Sequence, residues 1–61
     1  MINTYEYYTI LVLRTIGVKL TMEQSKQFLE EAEQRHIDFD TKHPYDFSDE
    51  ELIEEYRQYY M

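Results

Sequence analysis

The sequence predicts a small all-α unit of three helices, and three observations carry that expectation. A Ser, Thr or Asn stands three residues ahead of a Glu or Gln at Asn3 and Glu6, Thr21 and Gln24, and Ser48 and Glu51, which is the spacing of a capping box at a helix start. Apolar side chains follow the second and third of these at helical rather than alternating intervals. The only glycine, Gly17, and the only proline, Pro44, fall between the capped stretches, where helices must stop.

The first helix is expected over residues 4–16. Asn3 caps it, and Gly17 supplies a left-handed stop that brings Val18 towards Leu13. Tyr, Ile, Val and Thr crowd its interior, and these residues also favour strands. A β-strand there, giving an α+β fold, is the alternative; the lack of clean alternation from Tyr5 to Ile16 favours the helix. On a helical wheel Tyr5, Tyr7, Tyr8, Ile10, Leu11, Val12, Leu13 and Ile16 occupy nearly the whole perimeter, relieved only by Glu6, Arg14 and threonines. A helix apolar on every side is normally covered on every side, and two short helices cover about half of one. Self-association through Tyr5, Tyr8, Ile10, Leu11 and Leu13, giving a homodimer, is therefore expected.

The second helix should run over 22–37. Met22, Ser25, Phe28, Leu29, Ala32 and His36 lie on one side, and Glu23, Lys26, Gln27, Glu30 and Glu31 on the other. Glu31, four residues before Arg35, has the favourable orientation for a surface ion pair. Residues 38–47 read as a connection whose rings, Phe39, Tyr45 and Phe47, are expected to fold back over the core. Ser48 then caps a third helix over 49–60, with Phe47 placed to staple onto Leu52. Its apolar arc holds Leu52, Ile53, Tyr56, Tyr59 and Tyr60, opposite Glu50, Glu51, Glu54, Glu55 and Gln58.

Sixty-one residues form one domain, 1–61, that buries only about 60% of its unfolded surface. There is no Cys, so neither a disulfide nor a Cys-containing zinc site supplements the core, and a second copy or a bound partner is the expected support. Hydrophobic residues at 43% and aromatics at 16% place the chain among folded proteins rather than disordered acidic tails. The net charge of −7 divides as +1, −4 and −4 over residues 1–20, 21–40 and 41–61. Such a field disfavours direct nucleic-acid binding and anionic membranes. The longest apolar run, Ile10 to Leu13, is far below the roughly 20 residues of a membrane span, and the N-terminus lacks the basic region of a signal peptide. A soluble, cytoplasmic protein is expected.

Catalytic and metal chemistry finds little footing. Asp38, Asp40, Lys42, Asp46 and Asp49 invite comparison with a calcium loop, but His43 stands where the tight turn needs Gly. Lys42 stands at a ligand position, and Asp49 is too short for the bidentate Glu. His36 and His43 have no third nitrogen or sulfur ligand at a recognised spacing. The acid pairs Glu30/Glu31 and Glu54/Glu55 read as solvated faces, since acid–base work needs a pocket that shifts a pKa. Ser25 reads as a packing residue and Ser48 as a cap, not as nucleophiles. No catalytic residue, metal or cofactor is expected, and the protein is expected not to be an enzyme.

Binding is the better-supported class. Tyr7, Tyr45, Tyr59 and Tyr60 combine area with a polar tip and are candidate interface anchors. Glu50, Glu51, Glu54 and Glu55 form an acidic ridge with two readings: it confers solubility alone, or its regular charge imitates a nucleic-acid backbone and suits a basic groove on a larger host protein. The stretch Phe47-Ser48-Asp49-Glu50-Glu51-Leu52-Ile53-Glu54-Glu55-Tyr56 resembles the opening helix of a small bacterial sporulation-checkpoint inhibitor of histidine kinases. The likeness covers about ten residues of capping-box character, lies at the other end of the chain, and carries over no functional residue. In kind, the chain is similar to the small acidic inhibitors that phages encode against host enzymes and defence systems. The expected function is inhibition or regulation of a larger protein by occlusion, a nucleic-acid-processing defence enzyme being the example. The alternative is a self-associating structural or assembly protein.

Overall fold

A computed structural model describes residues 3–40 and 42–61 as three α-helices, α1 (Thr4–Ile16), α2 (Met22–Phe39) and α3 (Asp49–Tyr60). A short 3₁₀ turn at Pro44–Asp46 lies in the α2–α3 connection. There is no strand among the described residues, so the first element is a helix and the α+β alternative falls away. The stretch 38–47 includes Thr41, which lies outside the described residues.

The caps act as their residue types dictate. The Asn3 side chain accepts from the Glu6 N–H at 2.8 Å. At α2 and α3 both halves of the box form, with Gln24 and Glu51 reaching back to the N–H groups of Thr21 and Ser48. Gly17, at φ 84°, closes α1 by donating its N–H to the Leu13 carbonyl at 3.0 Å, the single bond of an αL cap.

The end of α2 departs from expectation. The helix continues through Phe39, two residues past Ile37, because Asp40 adopts the left-handed conformation (φ 54°, ψ 40°) and serves as C-cap. Asp tolerates that region better than most residues with a side chain, through local hydrogen bonding of its carboxylate. Extending the helix carries Phe39 outward, where it is 71% exposed, and Tyr45 is 58% exposed. These two rings therefore do not fold over the core; from this connection it is Pro44 that is buried, with Phe47 half-buried.

The core is formed by Tyr8 and Val12 of α1, Leu20, Leu29 of α2, and Ile53 and Tyr56 of α3. Val12 and Ser25 are fully buried. Where α1 meets α2, Thr9 and Ser25 hydroxyls lie 2.5 Å apart. The single Thr9 proton goes to the Tyr5 carbonyl at 2.9 Å, so Ser25 donates to Thr9. The backbone of α1 comes close to both other helices, whereas α2 and α3 face each other mainly through side chains.

Those side chains form a lattice. The Tyr60 ring stacks on Phe28 with centroids 3.9 Å apart, and its hydroxyl donates to Glu31 at 2.5 Å. Arg35 donates to Glu55 at 2.5 Å and lies over the Tyr59 ring, 3.9 Å from its centroid. The expected pairing of Arg35 with Glu31 along α2 thus gives way to a pairing across helices. Arg35 and Glu55 are each about four-fifths covered, and there a well-aligned charged hydrogen bond outweighs a solvent-screened pair on one helix. No helix among the described residues is long and apolar enough to cross a membrane.

Candidate functional site

Residues from α1 and α3 line an open groove of about 450 Å³. Buried Ile53 and half-buried Leu11 supply its apolar lining, and exposed Thr15, Arg57, Asp49, Glu50 and Glu54 its polar lining, three of them carboxylates. The composition follows from helical register. Glu50, Ile53, Glu54 and Arg57 recur at three- and four-residue intervals on α3, so one strip of that helix alternates apolar and charged tips beside Leu11. Tyr7 joins this surface by donating its hydroxyl to Asp49, and that bond, with burial second, raises the phenol above its ordinary pKa.

The four carboxylates of the expected ridge divide into two pairs. Glu50 and Glu54 are exposed and line the groove. Glu51 accepts from the Ser48 backbone N–H at 2.9 Å and from Lys42 at 3.0 Å. These contacts, the backbone bond first, hold its carboxyl below the ordinary range. Glu55 is turned towards Arg35 and is a lattice member. Asp49 and Arg57, which the sequence did not single out for binding, take the vacated places beside Glu50 and Glu54. Their membership was hidden because it depends on which face of α3 lies towards α1.

The four candidate tyrosine anchors also separate. Tyr7, Tyr45 and Tyr59 are 43%, 58% and 49% exposed. Tyr60 is half-buried between Phe28, Glu31 and Arg35; burial first and the Glu31 bond second push its phenol up to about 12. Tyr59 borders a second groove of about 490 Å³ between α2 and α3, together with Phe39, Phe47 and Lys42. Tyr45 lies against the His43 ring, 4.9 Å between centroids, beside the 3₁₀ turn.

Of the residues expected to self-associate, Tyr8 is buried in the chain's own core and Tyr5 and Leu11 pack against it. Ile10 and Leu13 remain 41% and 44% exposed on the opposite side of α1.

His36 and His43 do come together, edge to face with centroids 5.1 Å apart. His43 Nδ1 accepts the Tyr45 N–H at 3.2 Å, and Nε2 lies 3.9 Å from Glu33. Among the described residues, no group of three or more His, Asp or Glu side chains is arranged to hold a metal ion.

No protein family matches the sequence, and neither a curated protein nor a solved structure matches it.

Proposed function

We propose that this protein is a small acidic, non-enzymatic inhibitor or regulator that binds a larger host protein in the cytoplasm and occludes it. One observation carries the reading: the carboxylates of Asp49, Glu50 and Glu54 line the α1–α3 groove together with the apolar side chains of Leu11 and Ile53. An apolar anchor flanked by cations fits that arrangement, the anchor displacing water from the apolar lining while the carboxylates orient and attract it. A basic groove built to hold phosphates presents such cations, which places nucleic-acid-processing enzymes, including the defence enzymes that phages must silence, among the suitable targets. Tyr7, at the edge of the groove, adds an aromatic anchor with its hydroxyl already satisfied by Asp49.

The test follows from the division of the ridge. Neutralising all four glutamates would disturb the α3 cap and the Arg35 pairing, so the informative variant is Glu50→Gln with Glu54→Gln. This double variant should keep wild-type helix content yet capture a stoichiometric partner from host lysate about tenfold more weakly, and capture should also fall at high salt. A partner retained equally by wild type and variant, at low and high salt, would overturn the reading.

A further inference from the structure

The outer side of α1 adjoins the groove only at Tyr7 and has an unusual pattern of exposure. Glu6, Tyr7, Ile10, Leu13 and Arg14 are all exposed along it, although most of the helix's other apolar residues are covered by the chain's own core. Glu6, Ile10 and Arg14 are spaced four residues apart and so form one continuous ridge, with Leu13 and Tyr7 to its two sides. About Ile10 this ridge is self-complementary: an acid lies one turn before it and a base one turn after it.

The charge distribution identifies what can cover this ridge. Residues 21–61 carry twelve acids against four bases, so two copies meeting through α2 or α3 would press carboxylates together. The exposed ridge of α1 holds one acid and one base and is neutral. A two-fold axis makes the same patch meet itself, and an antiparallel arrangement pivoting at Ile10 sets each acid against the opposite base.

We infer that α1 pairs antiparallel with α1 of a second copy about a two-fold axis at Ile10, with Glu6 of each copy facing Arg14 of the other. Ridges of i±4 spacing lie alongside each other when helices cross at about −50°, the common packing class. At that crossing the acidic and basic ends of the two ridges come together, while Leu13 and Tyr7 cover the flanks. The contact is centred on one pivot and is small, which places it with weak, concentration-dependent dimers. It shares only Tyr7 with the α1–α3 groove and leaves Glu50 and Glu54 open, so charge reversal at Glu6 and Arg14 tests the dimer apart from the groove.

Charge reversal tests both the dimer and its register. In sedimentation equilibrium the wild type should dimerise with rising concentration. Glu6→Arg and Arg14→Glu should each raise the dimer Kd about tenfold or more, because every copy then meets like charge. An equimolar mixture of these two variants should associate more tightly than either alone, since the mixed pair restores opposite charges at both contacts. Wild type that stays monomeric to millimolar concentration would overturn the dimer. Single variants that associate as wild type does, or a mixture no tighter than its components, would overturn the register. Both substitutions oppose the helix dipole. If circular dichroism shows lost helix, Glu6→Gln and Arg14→Gln replace them; each must weaken the dimer, and unchanged association refutes the pairing.

Discussion

Two residues with left-handed backbones have opposite prospects. Gly17, at φ 84°, has nothing within 4 Å of where a Cβ would stand, so Gly17→Ala meets no clash and suffers only the backbone penalty. That penalty is about 1 kcal/mol. Asp40 holds the same region with a side chain, and its charge lies at the negative end of α2. Asp40→Gly should therefore stabilise the fold by about 0.5 kcal/mol, net of the freedom glycine adds to the unfolded chain. Urea midpoints moving down for the first variant and up for the second would bear this out. Arg35 shows what residue-level reading misses. From the sequence its natural partner is Glu31, one turn away, yet the fold supplies Glu55, Tyr59 and the Tyr60 hydroxyl from another helix. Its Nε is buried without a hydrogen-bond partner. No spacing rule reveals a contact that depends on how α3 is placed.

The elements were more legible than their contacts. Asn3, Thr21 and Ser48 marked helix starts because capping is local, a matter of one side chain and a backbone N–H three residues on. Gly17 marked a stop for the same reason, whereas Asp40 did not, since Asp ends helices much less often than Gly. Ser48→Ala removes the side-chain half of the α3 cap and should cost about 1 kcal/mol, read as a lowered thermal midpoint. The α1–α2 crossing has a different dependence. Ser25 is fully buried opposite Thr9, and its small hydroxyl lets the helices approach closely. Ser25→Leu should overpack that crossing and cost about 1–3 kcal/mol, whereas Lys26→Leu on the exposed neighbouring position should change little. The candidate groove was partly legible: Glu50 and Glu54 stood out by chemistry, while Leu11, expected in self-association, and Asp49, Ile53 and Arg57 join them only through the docking of α3 on α1.

At the scale of the whole molecule the margin is narrow. The radius of gyration is 10.8 Å, and the core that fills this small volume draws on all three helices. Domains of this size rarely hold more than about 3–5 kcal/mol, and truncating a buried leucine costs about 2–5 kcal/mol. Leu29→Ala should thus leave the isolated protein largely unfolded at 37 °C by circular dichroism. The pH limits follow from groups whose pKa values change on folding. Glu31, mainly through its Tyr60 bond, and Glu51, mainly through the Ser48 backbone, are held low in the folded state. Their contribution is present above the ordinary carboxylate pKa of about 4.3 and is lost as pH falls below it. Tyr8 and Tyr60 are held high, chiefly by burial, Tyr60 at about 12. Their contribution is complete below the unfolded tyrosine pKa of about 10 and disappears as pH rises towards the folded values. Tyrosinate absorbance and helix loss should rise together on that alkaline side. The side-chain lattice between α2 and α3 has a mechanical consequence as well. Because long side chains rather than close backbones span that gap, the hold of α2 on α3 rests on a few side-chain tips and yields to substitution of any one of them. Arg35, reaching from α2 to Glu55 and over the Tyr59 ring, is the longest of these links, so the seam between the two helices closes through one guanidinium rather than through paired backbones.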